Sequence, residues 1–403
     1  MLAPYRQILS LPGALAFSGA GALARLPMSM VTISIVLLIE ARYHSYGLAG
    51  QVAAAYMVAQ AIAAPQLAKF VDSRGQAKIM RPALLVAMLG LGGLAVAAAL
   101  QASAGWLYLT AAVGGASVGS MGALVRARWN RAIDNPRQLH TAYSLESAID
   151  ELVFVIGPVL ATTLAAAISP LSGLAIAVAA ALLGGFWFLA QRATEPAAAG
   201  PPAAHERGSV MRSPGMVIIF AVFILVGTIF GSIDVSTVAF ADERDAQVWA
   251  GPVLAVFAAG SLISGLLYGA REFSMALPKR FVIGIVALCA GTTMFLVVNS
   301  LPILALAGFI TGFTIAPTII AGNALVQQLV PASRLTEGLT WVATAIGVGF
   351  SIGSSVTGRI VDGFGAQSGY VVGIAAATIA AVLAISTSQI LQRDSHARGQ
   401  RRG

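Results

Sequence analysis

Charge is what this chain has least of. Asp, Glu, Lys and Arg make up 10% of its 403 residues, whereas soluble domains carry about one quarter. With a hydrophobic fraction of 58% and a mean hydropathy of +0.84, so few charges cannot cover a water-exposed surface. The composition is that of an integral membrane protein, all-α because lipid leaves no other way to satisfy an open-ended backbone. Cysteine is nearly missing too. Cys289 stands alone, which excludes an internal disulfide and implies no metal cluster. The four histidines, His44, His140, His205 and His396, have no ligand spacing. No HExxH, Walker loop or nucleophile elbow occurs. These absences argue against an enzyme, a metal, a cofactor or ATP as the driving force. No cleavable leader is expected, because the first long apolar run continues well past the length of a signal core.

What the chain does have is long apolar runs. A bilayer-crossing helix needs about 20 such residues. Spans are predicted near 11–38, 48–70, 80–101, 106–126, 143–167 and 169–190, then near 215–240, 248–270, 280–299, 302–326, 338–362 and 368–391. Residues 191–214, rich in Pro and Ala and polar between them, read as a water-exposed linker. The organisation is six plus six: a first half over 1–190 and a second over 215–403 that ends in a short basic tail.

Loop charge orients the chain. With the N-terminus in the cytoplasm, twenty of the 24 Lys and Arg fall on the inner side; the other four are Arg25, Arg42, Arg244 and Arg359. Both termini and the linker are therefore expected inside. The anionic inner leaflet accounts for the net charge of +8 without nucleic acid. The halves also echo each other. Leu11-Pro12-Gly13 opens span 1 as Ser213-Pro214-Gly215 opens span 7, and Leu139 to Ser144 resembles Leu335 to Thr340, a register that places Gly157 on Gly353. Parallel six-helix repeats suit a transporter with its site near mid-membrane.

One stretch concentrates the chemistry. Tyr143 to Thr163 is apolar enough for a bilayer yet carries Glu146, Asp150 and Glu151. Glu146 and Asp150 are four apart and share a helical face. Acids at membrane depth are costly and face a protein interior or a water path. Gly157-Pro158 follows in the same run, a point for close packing and a helix bend. By helical rise Asp150 and Glu151 are expected about 10 Å from the cytoplasmic end of span 5. Arg126 and Arg128, at the end of span 4, are their nearest basic candidates.

The loop after span 2 reads Ala68-Lys69-Phe70-Val71-Asp72-Ser73-Arg74-Gly75-Gln76-Ala77-Lys78. It resembles the loop 2–3 signature of the major facilitator superfamily, G-x-L-x-D-R-x-G-R-R/K. Asp72 and Gly75 occupy the acid and second-glycine positions, Ala68 replaces the first glycine, Arg74 lies one place late, and Lys78 supplies the trailing base. Gly265 to Arg271 looks like a second copy without the acid. Gly157-Pro158 resembles the centre of the drug/proton antiporter signature G-P-x-x-G-G, with Ala161 and Thr162 where the glycines should be. ALVRARWNRAI followed by ESAIDELVFVIGP is similar to actinobacterial members labelled drug efflux-like.

The resemblance implies the major facilitator fold, two pseudo-symmetric six-helix bundles, in a bacterial cytoplasmic membrane. It further implies a monomer working by alternating access, with a small-molecule substrate, protons and membrane lipid as its partners. Asp72, Arg74, Gly75, Lys78, Arg126 and Arg128 are then the candidate conformational latch. Asp150, Glu151 and Asp234 are candidates for proton coupling. Arg25, deep in span 1, together with Tyr56, Gln60, Phe230, Asn323 and Trp341, forms the candidate substrate set. Structural roles compete with each: an internal ion pair for Arg25, a gate network for the span 5 acids, helix-to-helix bonding for Gln60 and Asn323. The expected activity is proton-coupled export of amphipathic small molecules. The alternatives are uptake of a nutrient or anionic metabolite, and a non-transporting sensor or lipid-handling protein.

Overall fold

The structure, a computed structural model, describes residues 3–198, 209–246, 249–271 and 273–399. The middle of the linker, with His205, lies outside the described residues. A short α1 (Ala3–Leu9) precedes α2 (Ala14–Tyr43), α3 (Tyr46–Arg74), α4 (Gln76–Ala99), α5 (Ala104–Val118), α6 (Met121–Ala132), α7 (Pro136–Ala167) and α8 (Ser172–Ala190). After the linker come α9 (Pro214–Asp242), α10 (Ala250–Gly269), α11 (Leu277–Thr293), α12 (Leu301–Leu329), α13 (Leu335–Phe364), α14 (Ala366–Ser386) and the terminal α15 (Ser388–Gly399). Among the described residues, twelve helical segments are long and apolar enough to cross a bilayer, α5 and α6 together making the fourth.

The chain forms two compact units. One takes Tyr5–Leu139 and Ile149–Arg207; the other takes Met1–Pro4, His140–Ala148 and Gly208–Gly403. Their internal pairings run parallel. In the first, α2 packs on α8, α3 on α5, and α4 on both α5 and α8. In the second, α9 packs on α14, α10 on α12, and α11 on both α12 and α14. Numbered by span, the pairs 1–6, 2–4, 3–4 and 3–6 recur as 7–12, 8–10, 9–10 and 9–12, which is the internal repeat expressed as packing.

Small residues set how close these helices come, because lipid gives apolar faces no reason to associate beyond van der Waals fit. A Cβ on Gly349 would lie 1.9 Å from the Ile224 carbonyl oxygen and one on Gly353 2.2 Å from that of Thr228, so α13 rides directly on the α9 backbone. Gly157 brings α7 close to α2, where a Cβ would reach the Ser29 side chain, its Oγ at 1.9 Å. The pairing of Gly157 with Gly353 is thus a spatial one: each lets the fifth helix of its repeat close on the first.

Two local features depart from the predicted spans. The fourth is broken: Gly119 takes φ +66° and Ser120 an extended conformation, so α5 ends and α6 begins inside one apolar run. The fifth begins at Pro136 instead of near Tyr143. Asn135 caps it by accepting from the Arg137 N–H at 2.9 Å, and Pro136 takes the first helical position, where its missing N–H costs nothing. Asp150 therefore lies about 21 Å along the helix from its first residue at 1.5 Å per residue, the added turns preceding the apolar run.

Candidate functional site

At Asp150 α7 meets α2 and α6 through three charged side chains of one unit. Arg25 Nη1 donates to Asp150 Oδ1 at 2.7 Å, and Arg126 Nη2 donates to Asp150 Oδ2 at 2.8 Å. Each guanidinium is steadied by a carbonyl four residues earlier on its own helix. Arg25 Nε donates to Gly21 O at 3.0 Å and Arg126 Nη1 to Gly122 O at 3.4 Å. The arginines are thereby aimed, and each oxygen of the carboxylate takes one charge-assisted bond. Arg25 is 1% exposed and Arg126 8%, while Asp150 keeps 24% of its side chain exposed. The carboxylate is the open face of a buried cationic pair. Glu146, one turn earlier, is fully buried, and Glu151 is half-buried beside Asp150.

Arg128, two residues past Arg126, serves a different neighbourhood. It is completely buried. Its Nε donates to Gln76 Oε1 at 2.9 Å, and its Nη1 donates to the Gln191 carbonyl at 2.9 Å and to Thr194 Oγ1 at 2.8 Å. Its guanidinium lies 3.7 Å above the Phe188 ring. Gln76 in turn donates to Leu124 O at 3.1 Å. The ends of α4, α6 and α8 are joined at this one residue. Glu195 completes the knot: its Oε1 accepts from the Ala77 N–H at 2.8 Å, capping α4, and its carbonyl accepts from Arg131 at 2.6 Å.

The predicted latch residues flank that knot. Gly75 makes the turn from α3 to α4 with φ +96°, a conformation open to glycine and strained for other residues. Asp72 is half-buried in the last turn of α3, Lys78 is exposed, and the exposed Arg74 lies over the Phe70 ring at 5.2 Å. Of the named latch set, Arg126 joins Asp150 and Arg128 joins the linker side. Gln76, Gln191, Thr194 and Glu195 went unnoticed because in sequence they read as ordinary loop and linker.

The substrate candidates scatter. Tyr56 is buried in the apolar core of the first unit, and Gln60 is half-buried one turn further along α3. In the second unit Phe230 is half-buried on α9 and Asn323 is buried on α12. Trp341 is half-buried on α13, edge-on to Phe220 at 5.4 Å. Asp234, half-buried on α9, has no hydrogen-bond or ion-pair partner among the described residues. The same unit holds the loop that resembles a second latch copy. There His140 Nε2 donates to Tyr268 O at 2.9 Å, Thr141 Oγ1 donates to Gly269 O at 2.7 Å, and Arg280 Nε donates to the Tyr268 hydroxyl at 2.7 Å.

Comparison with known proteins places this architecture. Residues 17–272 and 273–401 match the Major Facilitator Superfamily. No curated protein matches the chain by sequence. Among solved structures, the human organic anion transporter MFSD10 (TETRAN) is similar at a TM-score of 0.71 and 14% identity, over 92% of this chain and 98% of that one. A bacterial homologue of the iron transporter ferroportin in the outward-facing state is similar at 0.76 and 14%, over 93% and 99%. A structure of such a homologue with soaked iron gives 0.72 and 15%, over 93% and 98%. At these identities the likeness is one of fold.

Proposed function

Because the chain belongs to the Major Facilitator Superfamily, we propose that it is a proton-coupled secondary active transporter that moves an amphipathic small molecule by alternating access. The observation that carries the reading is Asp150, an acid within a helix long and apolar enough to cross a bilayer, gripped by arginines from two other helices. A carboxylate held this way accepts a proton only when the arginines withdraw. Its protonation therefore follows the conformation of α2, α6 and α7, which is the linkage a coupled transporter needs. Asp234, without a partner among the described residues, is the second proton site. Glu151 stands next in line beside Asp150.

Export of amphipathic compounds is the cargo reading suggested by the likeness to drug efflux-like sequences. Uptake of an anionic metabolite is the second, and the buried pair Arg25 and Arg126 favours it, since two guanidiniums already aimed at a carboxylate suit an acid. The named cargoes of the structural neighbours, an organic anion and iron, differ from each other, and fold similarity selects neither.

The coupling is tested in proteoliposomes, with a cargo first identified by thermal shift. Asp150→Asn, paired with Arg25→Gln to keep the local charge balanced, is expected to abolish accumulation or extrusion driven by a pH gradient, while substrate counterflow survives. Full gradient-driven flux in that variant and in Glu151→Gln would move the coupling to Asp234. No flux and no counterflow in the native protein would favour a sensor or lipid-handling role.

The orientation proposed is both termini and the linker in the cytoplasm of a bacterial cell. A cysteine placed at His205 is expected to react with an impermeant maleimide only in inside-out vesicles. Labelling in intact cells would reverse the topology.

A further inference from the structure

We propose that Arg25 and Arg126 are the binding site for the acidic group of the cargo, which is a monoanionic organic acid, and that it travels with a proton taken up by Asp150. This rests on the proton-coupled reading above.

The site is already shaped for a carboxylate, because it holds one. Two guanidinium groups each place one N–H on a separate oxygen, at 2.7 and 2.8 Å. The backbone carbonyls of Gly21 and Gly122 fix the arginines from behind. An incoming carboxylate finds its donors preorganised, in the place that the Asp150 side chain holds. Asp150 is also the exposed member of the three, so the exchange can start from its side. Gly122 lets the two arginines lie close against α6: a Cβ there would stand 3.0 Å from Arg126 Nη1 and 3.9 Å from Arg25 Cδ. Gly122 belongs to the first turn of α6, the half-helix that begins at the break after Gly119.

Charge balance then sets the stoichiometry. When the cargo carboxylate takes the two arginines, the Asp150 carboxylate loses both partners in a low-dielectric site, where an ion without a counter-charge is costly. It takes one proton from solvent and becomes a neutral carboxylic acid. One negative charge has replaced another, so the charge of the site is unchanged whatever else lies nearby. Anion and proton cross together, and the step is electrically neutral. A neutral molecule brings no charge to set against the Asp150 carboxylate and cannot compete with it for the two guanidiniums. The same exchange fixes the sign of the pH dependence: cargo binds more tightly as pH falls, because binding consumes a proton.

The test uses the purified full-length protein in detergent, with benzoate, octanoate and acetate as probes and benzamide and benzylamine as neutral and cationic controls. Calorimetry in two buffers of different ionisation enthalpy reads the protons taken up per anion bound. The expected result is about one proton per benzoate and no binding of either control. Arg25→Gln and Arg126→Gln should each weaken benzoate by at least about 30-fold. Should those single variants misfold, Arg25→Gln/Asp150→Asn retains Arg126, and it is expected to bind benzoate without proton uptake.

Benzoate binding to the native protein with no proton uptake would overturn the inference. So would equal binding of benzamide, or no binding of any of the three carboxylates. If gradient-driven flux of another cargo is found while no carboxylate binds, this inference falls and the transporter reading stands. If the carboxylates bind with proton uptake but a pH gradient drives no flux, the transporter reading falls and the anion site stands.

Discussion

Arg128→Ala is expected to lower the stability of the protein by about 3–5 kcal/mol, the range for breaking a fully buried charged network. Arg128 is wholly enclosed, donates to Gln76, Gln191 and Thr194 and stacks on Phe188. Alanine removes three charge-assisted bonds and a desolvated cation–π contact together, and it takes from the buried Gln76 Oε1 its Arg128 donor. Arg128→Lys should recover little. An ammonium cannot reach a glutamine side chain, a backbone carbonyl and a hydroxyl in one plane while also lying flat on a ring. The measurement is thermal unfolding in detergent, with Arg131→Lys as a comparison at a neighbouring exposed arginine. If Arg128→Lys melts with the native protein, charge alone suffices and the planar network is not what joins α4, α6 and the segment after α8.

Asp150→Ala is the second large effect expected, again about 3–5 kcal/mol. Removing the carboxylate leaves the Arg25 and Arg126 guanidiniums directed at the same point in a poorly solvated site, where like charges repel strongly. Arg25→Gln should partly rescue Asp150→Ala, because it removes one of the two opposed cations along with the lost anion. A double-mutant cycle on melting free energies reads this directly. Additive losses would mean that the two side chains do not act through each other, contrary to the 2.7 Å bond between them. Benzoate offers an independent check: if a free carboxylate occupies the vacated position, it should stabilise Asp150→Ala more than it stabilises the native protein.

Much of the architecture was legible from the residues. Lipid satisfies no backbone polar group, and apolar runs of about 20 residues are the length of a helical crossing rather than of a barrel strand, so a hydropathy reading finds the twelve among the described residues. The turn at Gly75 and the close approach at Gly157 were readable for a related reason: a tight turn and a tight helix crossing both demand the smallest residue. Arg25 announced itself as an arginine too deep in a span to lack a counter-charge. The start of α7 was readable and missed, since Asn135-Pro136 is a cap signal that lies outside the apolar run.

The tertiary structure decided which residue answers Arg25. Asp150 lies 125 positions away in the chain, and Arg126 arrives from a third helix. Nothing in the local pattern singles out that meeting. A soluble helix displays its buried face as an apolar stripe, whereas a membrane helix is apolar all round, because lipid and protein interior are alike to a leucine. Helix rotation is therefore blank in the sequence, and with it the partner of every deep charge. It is settled only by how small residues let the helices close, as at Gly157 on Ser29. The break at Gly119 and the capping of α4 by Glu195 belong to the same class. Each depends on where a distant helix end comes to rest, while the twelve crossings depend only on the solvent that every residue meets on its own.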